Sequence, residues 1–271
     1  LGSSSVEFKD LYVDGVAYAD ALGFGTVAMT LPTADGSANQ VLKTDGGGAL
    51  SWTTASGGAS AIDDLSDAKS EGDNFTGSLI VGHQTTGSLS SATYNTAVGL
   101  ATLDAITTGD YNTAIGFSAL STNTAGNSNT AGGYNALHAN TSGDYNTATG
   151  HMALYLNTSG DNNSAFGMRA LKANTTGTRN LAFGYGAYDA ADTENDNLAI
   201  GYDALGGTIA GGEYNVAIGN YSLDANTEGD HNTAVGYQAL TANTTGSKNM
   251  ASGNYALFAN TTGDYNTASG W

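Results

Sequence analysis

Residues 112–120 read NTAIGFSAL, and residues 232–240 read NTAVGYQAL. The pattern that both share, Asn-x-Ala-x-Gly, occurs eleven times between residues 95 and 270. Nine of the ten intervals between successive Asn residues are 17 residues long, and the interval from Asn197 to Asn215 is 18. A fixed period of this length indicates one repeated structural unit, in which each copy buries its apolar face on the next.

We number each unit from its Asn as position 1. Position 3 is Ala and position 5 is Gly in all eleven units, whereas position 9 is Leu in nine of ten, with Tyr188 as the exception. Position 12 is usually Asn and position 15 is usually Gly. The repeat is defined most clearly in four units by Asn95, Ala97, Gly99, Leu103, Asn112, Ala114, Gly116, Leu120, Asn146, Ala148, Gly150, Leu154, Asn232, Ala234, Gly236 and Leu240.

Strand alternation predicts the fold of the array. In a strand, positions 1, 3 and 5 share one face and positions 2, 4 and 6 share the other. Two glycines and several Thr and Asn residues per unit disfavour a helix. We therefore predict an all-β protein, a parallel β-solenoid or β-roll of about twelve coils, each with two short strands and two turns. Residues 78–82 count as a degenerate first coil, 17 residues before the first full motif.

Small residues at positions 3 and 5 predict a narrow interior that holds Ala, Gly and one Leu per coil. The Asn at position 1 is expected to stack as a ladder. A thin coil buries little apolar area, and the apolar residues at positions 4 and 6 need a cover of their own. A symmetric oligomer along the whole axis would provide it, and we expect an elongated homotrimer.

The chain divides into three predicted zones. Residues 1–57 form a small irregular β region for attachment, with strand-like stretches at 6–13 and 27–31 and a hairpin between 40–43 and 49–53. Residues 58–77 form a connector. Residues 78–271 form the solenoid shaft, and its last motif ends one residue before Trp271, so we expect an internal fragment of a longer protein.

The connector is acidic. Its residues 61–70 are long enough for two helical turns, and Asp63, Asp64, Asp67, Glu71 and Asp73 lie in or beside this stretch. A solvated linker face explains such a cluster. A calcium site is the alternative, although the 12-residue EF-hand pattern is not met.

Charge and composition exclude several functions. Seven Lys and Arg residues stand against 25 Asp and Glu residues, so the formal net charge is −18. No basic face exists to neutralise phosphates, which disfavours nucleic acid as a partner. No run of 18 apolar residues is present for membrane insertion. The chain has no cysteine, which excludes disulfides and thiolate metal sites.

The repeats resemble those of tail fibres and other virion structural proteins of bacteriophages, especially marine and cyanobacterial ones. Residues 31–46 (LPTADGSANQVLKTDG), 48–52 (GALSW) and 62–68 (IDDLSDA) resemble segments common in such fibres. More distantly, Asn-x-Ala-Ile-Gly resembles the repeats of trimeric autotransporter adhesin heads, whose unit is shorter. Those heads are left-handed parallel β-rolls with three chains side by side. The resemblance implies a homotrimeric, elongated, surface-exposed fibre.

These observations together predict a non-enzymatic structural fibre segment of a phage virion. It would project a receptor-binding tip toward the host cell and contact other virion proteins through its N-terminal region. The host receptor is expected but not localised on the chain. We assign no catalytic, cofactor-binding or metal-binding residue and no cofactor. The alternatives are a bacterial trimeric surface adhesin head and, as an enzyme, a polysaccharide-cleaving tailspike.

Two recurring polar positions have a functional and a structural interpretation. Position 12 forms Asn-x-Thr/Ser glycosylation sequons or supplies the Asn that a turn requires; the sequons are Asn140, Asn157, Asn174, Asn243 and Asn260. Position 16 could bind calcium between coils or be an ordinary turn residue; the carboxylates are Asp110, Asp144, Asp161, Asp230 and Asp264. We favour the structural interpretation at both positions.

Position 2 could form a flat Thr array that matches ice, but hydrophobic residues and Ser164 interrupt it. The Thr residues are Thr96, Thr113, Thr130, Thr147, Thr233 and Thr267. The histidines His83, His138, His151 and His231 share no metal-ligand spacing with acids, and we interpret them as surface or packing residues.

One irregular unit contains the best acidic cluster of the array. Tyr188 replaces Leu and Glu194 replaces Gly there, and Asp189, Asp192 and Asp196 lie close in sequence. Two carboxylates some 5–10 Å apart are needed for glycoside cleavage. The next unit carries the extra residue within 206–212. We interpret both irregularities as drift of the repeat, with a functional bulge as the alternative.

Overall fold

The computed structural model describes residues 21–24, 27–30, 37, 40–44, 49–54, 68–70, 79–81, 91–190, 192–207 and 212–271. The chain divides into two compact units, Leu1–Ser60 and Ala61–Trp271. All regular elements in the described ranges are β-strands. Among these residues no helix is long and apolar enough to cross a membrane.

The first unit contains two antiparallel pairs. Strand β1 (Ala21–Phe24) pairs with β2 (Val27–Thr30), and β3 (Gln40–Thr44) pairs with β4 (Leu50–Thr54). The second pair confirms the predicted hairpin, and β2 confirms the strand predicted at 27–31. The stretch predicted as a strand at 6–13 lies outside the described residues.

The described strands of the second unit form one sheet of 13 strands. Strand β5 (Ala68–Ser70) is antiparallel to β6 (Leu79–Val81), and β6 is followed by eleven further strands that all pair in parallel. These are β7 (Thr96–Val98), β8 (Thr113–Ile115), β9 (Thr130–Gly132), β10 (Thr147–Thr149), β11 (Ser164–Phe166), β12 (Leu181–Phe183), β13 (Leu198–Ile200), β14 (Val216–Ile218), β15 (Thr233–Val235), β16 (Met250–Ser252) and β17 (Thr267–Ser269).

The register of these pairs is that of the repeat. Leu79 pairs with Thr96, which confirms the degenerate first coil, and Ala148 pairs with Ala165 in the regular part. The eleven Asn residues therefore mark ten successive turns of a parallel β-solenoid, as predicted. The helical turns suggested for 61–70 are wrong at its end, where residues 68–70 form β5; residues 61–67 lie outside the described ranges.

Each turn contains one strand, so the prediction of two strands per coil is wrong. Positions 7 and 9 adopt left-handed backbone angles, as at Ser118 (φ 51°) and Leu120 (φ 50°), which are incompatible with a strand. Backbone bonds between turns nevertheless continue there. Ser118 N donates to Leu100 O of the preceding turn, and Leu120 N donates to Ala136 O of the following turn, both at 3.0 Å. The left-handed residues are thus held in place by pairing on both sides.

The interior is as narrow as predicted. The central Ala of strands β7 to β16 is buried, and its two strand neighbours are more exposed, as in the pattern of β10. The Leu at position 9 is completely buried in the turns of Leu120 and Leu154, together with Ala119 and Ala153 at position 8. One layer of Ala and Leu per turn forms a continuous core along the axis.

Candidate functional site

Two asparagine ladders fill the polar part of the interior. In the ladder at position 1, Asn146 Oδ1 accepts a hydrogen bond from the backbone N–H of Asn163, and Asn146 Nδ2 donates to Gly160 O at 2.7 Å. In the ladder at position 12, Asn157 Nδ2 donates to Asn140 Oδ1 at 2.8 Å and to the same Gly160 carbonyl at 3.0 Å. The predicted stacking of the position 1 asparagines is confirmed.

The same bonds explain the sequons. The side chains of Asn140, Asn157, Asn174 and Asn243 are completely buried, and each amide nitrogen donates to the carbonyl of a position 15 glycine. An Asn is required there because only a short amide donates to this carbonyl and to the next Asn at once. A buried amide nitrogen with this role is not open to glycosylation.

Glycine at position 5 is required by a close approach of two turns. Gly116 has φ +132°, and a Cβ at this residue would lie 2.6 Å from the carbonyl oxygen of Gly133. Its own N–H donates to Ile115's equivalent in the preceding turn, Val98 O, at 2.9 Å. The glycine therefore ends the strand and lets the chain turn while the turns remain in contact.

Carboxylates at position 16 accept hydrogen bonds from the backbone of the preceding turn. Asp110 Oδ1 lies 2.7 Å from Thr93 N, and Asp161 Oδ1 lies 2.7 Å from Asp144 N. Asn127 replaces Asp in one turn and accepts the equivalent bond from Asp110 N at 2.8 Å. Since a neutral amide performs the same task, the row has the role of a turn residue. Within the described ranges no group of three His, Cys, Asp or Glu residues is placed to hold a metal.

The outer face of the sheet is apolar and exposed. Ile115 and Phe183 at position 4 are 54% and 57% exposed, and Phe117 and Tyr134 at position 6 are each 45% exposed. These rows lie on both sides of the position 5 glycines along the array. The structure places no described residue over them.

The aromatic side chains at position 6 stack along the axis, which the sequence analysis did not predict. Phe117, Tyr134 and His151 form a continuous stack with centroid separations of 5.4 and 5.0 Å. Tyr185 and Tyr202 stack in the same way at 5.2 Å. The signal for this feature is the 17-residue recurrence of ring residues in one position.

Two units carry Asn at position 6, and there the next residue provides the ring. Tyr221 follows Asn220 and contacts the rings of both Tyr202 and Tyr237, at 5.3 and 6.3 Å. Tyr255 follows Asn254 and lies 5.4 Å from the ring of Tyr237. Interruptions of this row are therefore filled by position 7.

The described histidines are packing residues, as interpreted from the sequence. His138 Nδ1 lies 2.7 Å from Ser121 Oγ, and its ring stacks on Tyr155. His151 stacks on Tyr134, and His231 stacks on Tyr214 at 4.9 Å. His83 lies outside the described residues.

The Thr row at position 2 runs along the outer face of the sheet. Strand register places Thr147 beside Ser164, which is followed by Leu181, Leu198 and Val216 in successive turns. The row of hydroxyls is thus interrupted in its middle and cannot form one continuous flat array.

The irregular turn is internally compensated. Tyr188 is completely buried, and its Oη accepts a hydrogen bond of 2.6 Å from Asn197 Nδ2. Burial raises the pKa of the Tyr188 hydroxyl well above its usual value. Glu194 is 4% exposed, and its Oε2 accepts bonds from the backbone N–H groups of Asp192 and Thr193 at 3.0 and 3.1 Å. Tyr188 thus supplies a polar atom in the turn whose position 12 is Ala191 in the sequence.

The carboxylates of the predicted acidic cluster do not form a catalytic pair. Glu194 caps the backbone of its own turn, and Asp192 accepts a hydrogen bond from Thr175 Oγ1. Asp196 forms an ion pair with Arg179 at 2.6 Å, and the hydrogen bond from that guanidinium lowers the pKa of Asp196. Asp189 pairs with Arg169 at 2.8 Å.

Three carboxylates near that ion pair have raised pKa values. Burial raises the pKa of Asp189, which Arg169 partly opposes. Burial also raises the pKa of Asp203 and of Asp224, and the charges of Asp203 and Asp189 raise that of Asp224 further. These groups charge at a cost in the folded chain, so they bear on its pH dependence.

Comparison of the chain with protein-family models, with curated proteins and with solved structures yields no match.

Proposed function

We propose that this chain is a shaft segment of a phage virion fibre, a homotrimeric tail fibre that holds a receptor-binding tip away from the particle. The observation that carries the proposal is the uninterrupted axial bonding of ten turns. Backbone pairs, two asparagine ladders and the position 16 row all connect each turn to the next. Such a body resists bending, and it presents a repeated surface rather than one concave site.

The outer face of the sheet supports self-association. A large aromatic side chain buries 150–250 Å² in a core, so one that is half exposed leaves about 100 Å² uncovered. About ten such side chains along positions 4 and 6 amount to on the order of 1,000 Å² per chain, and a standard interface buries roughly 800 Å² per partner. Exposed patches on monomeric proteins rarely exceed a few hundred Å².

Three copies around one axis would cover this face along the whole shaft. A cyclic arrangement uses the same surface on every copy, and parallel chains keep equivalent turns at equal height. The net charge of −18 per chain opposes association, so the apolar rows would have to outweigh it. The resemblance to phage fibres adds the remaining partners, which are other virion proteins at residues 1–57 and a host receptor beyond the shaft, with the fibre on the outside of the virion.

A bacterial trimeric adhesin head is the second candidate. It is favoured by the exposed aromatic rows, since adhesion uses lateral contact along the coils. The tailspike alternative receives no support from the cluster that suggested it, because Glu194 and Asp196 are engaged with backbone N–H groups and with Arg179.

The native mass of the protein tests self-association through the proposed face. We expect a particle of three times 27.2 kDa. Ile115→Asp with Phe183→Asp adds two charges to the outer face and should give monomers that retain the β-sheet circular dichroism of the parent. Ser142→Asp with Thr245→Asp adds the same charge at exposed turn positions and should leave the trimer intact. A wild-type monomer, or a trimer that survives the first pair of changes, would contradict the proposal.

A further inference from the structure

A second aromatic row runs along position 17. Its members have left-handed backbone angles, as in Tyr94 (φ 58°), Tyr111 (φ 59°) and Tyr145 (φ 57°). Tyr94 and Tyr111 stack with a centroid separation of 4.9 Å and an interplanar angle of 9°. Tyr214 and His231 stack at the same separation and at 6°. Side chains of this row therefore lie one above another with their ring planes perpendicular to the axis.

The row has a gap at Ser128. The backbone there is regular, since Ser128 N donates to Asp110 O at 2.9 Å and Tyr145 N donates to Asn127 O at 3.0 Å. Ser128 keeps the left-handed angle of the row, with φ 55°. Tyr111 and Tyr145 are thus placed two turns apart with a short side chain between them. They remain 59% and 62% exposed.

The width of this gap follows from the repeat. Rings one turn apart lie 4.9 Å apart in this row, so rings two turns apart are about 9.7 Å apart. A group held midway would lie about 4.9 Å from each ring centroid, within the roughly 6 Å over which a cation is attracted to an aromatic face. The gap admits one such group and is too narrow for two.

The chain itself occupies the equivalent place elsewhere with a cation. Lys248 stands between His231 and Tyr265 in the same row. Its Nζ lies 4.9 Å from the centroid of Tyr265 and donates a hydrogen bond of 2.9 Å to the Tyr265 hydroxyl. The row thus accepts an ammonium group beside a tyrosine at the separation that the Ser128 gap provides.

The charge around the gap favours a cation over a neutral ring. Asp110 and Asp144 flank it at position 16, and each uses Oδ1 to accept a backbone bond, from Thr93 N and from Asn127 N. Within the described residues the second oxygen of each carboxylate has no protein donor. The formal charge of −18 raises the local concentration of cations further.

We propose that Tyr111, Ser128 and Tyr145 form a binding site for one organic ammonium group, held between the two rings with Asp110 and Asp144 alongside. The site takes the head of a quaternary amine or the side chain of a lysine. It does not depend on the fibre proposal, because it needs only the stacked turns of one chain. The affinity for a free small amine is on the order of millimolar, since it rests on two cation–π contacts and screened charges.

Ligand-observed NMR on the full chain tests the site, with choline and Nα-acetyl-lysine as separate probes and 3,3-dimethylbutan-1-ol as the uncharged isostere of choline. We expect both amines, or one of them, to bind and the isostere to bind at least about fivefold more weakly. The two amine arms distinguish a quaternary head from a lysine side chain.

Ser128→Tyr fills the gap with a residue that the row already holds at this backbone angle, and it should abolish binding. Asn162→Tyr is the matched control, since it adds a ring on the other side of Tyr145 and leaves the gap open. Tyr145→Leu should weaken binding about two- to fivefold. Equal binding of choline by Ser128→Tyr and the parent would overturn the proposal. So would equal binding of the isostere, or the absence of amine binding to the parent.

Discussion

Replacing Asn146 with Ala tests whether the asparagine ladder holds the turns together. Asn146 is completely buried, and two hydrogen bonds of its side chain are at stake. Its Oδ1 accepts from Asn163 N at 3.0 Å, and its Nδ2 donates to Gly160 O at 2.7 Å. Gly160 O keeps a second donor in Asn157 Nδ2. The backbone N–H of Asn163 keeps none among the described residues and stays buried.

The magnitude follows from this difference. An unpaired buried N–H costs about 1–3 kcal/mol, and the loss of the second, partly compensated bond adds about 1 kcal/mol. We therefore expect Asn146→Ala to lower the free energy of unfolding by about 2–4 kcal/mol. Ser142→Ala, at an exposed position of the same turn, should change it by less than about 0.5 kcal/mol.

Urea unfolding followed by circular dichroism gives the free energies, and amide hydrogen exchange gives the location. In the variant, protection should fall most at Asn163, the residue that loses its acceptor. A loss below about 1 kcal/mol would refute the reasoning, because it would place the cost of an orphaned buried N–H below its known range. Unchanged exchange at Asn163 would refute it as well.

Three further predictions concern the turns, the irregular unit and pH. Gly116→Ala should destabilise the chain by at least about 2 kcal/mol in urea unfolding, because of the backbone angle and the contact with Gly133 O; Gly132→Ala, where a Cβ would approach only the Thr149 side chain at 3.9 Å, should be neutral or stabilising. Tyr188→Phe should cost about 0.5–1.5 kcal/mol in the same assay, since Asn197 Nδ2 loses one acceptor and keeps two backbone carbonyls; a larger loss would mean that the hydroxyl does more than replace the missing ladder amide. Asp224 has a raised folded pKa, so the folded chain binds its proton more tightly than the unfolded chain, and stability falls as pH rises from about 4 through that folded pKa. Asp224→Asn should therefore raise the melting temperature at pH 7, and this gain should vanish near pH 4; a gain that is constant with pH would contradict the assignment.

The period alone predicted most of the interior. Ala at position 3 and Leu at position 9 recur without regard to their neighbours, and residues that small and that apolar in a fixed place are buried. The Asn at position 1 was predictable for a related reason. A polar side chain that repeats among buried positions must bond to its own copies in the next turn, and Asn112 and Asn129 do so.

The single strand per turn was not predictable from propensity. Leu120 and Leu137 adopt φ values of 50° and 51°, which an isolated Leu avoids. Stacking of identical turns provides the partners that hold them, since each N–H at this position donates to the following turn. The energy that decides this conformation belongs to the assembled array, whereas local pattern records only the preference of one residue.

The outer rows were recognised as apolar, but their organisation was not. The sequence shows rings at Phe117 and Tyr134, one period apart, without showing that they stack. It also shows Tyr221 after Asn220, yet only the structure places that ring in the interruption of the row. In the irregular unit, three departures at positions 9, 12 and 15 coincide. Their coincidence was a signal for compensation, which we had interpreted as drift.

Mass per unit length along the fibre, measured by scanning transmission electron microscopy of the full chain, tests the central claim most directly. A chain of 27.2 kDa and 271 residues carries about 1.7 kDa per 17-residue turn. With one strand per turn and a rise of about 4.8 Å, each chain contributes about 0.36 kDa per Å. A homotrimer of parallel solenoids predicts about 1.1 kDa per Å over the repeat region. A value near 0.36 kDa per Å would contradict the trimer, and a value that is no multiple of it would contradict the one-strand turn.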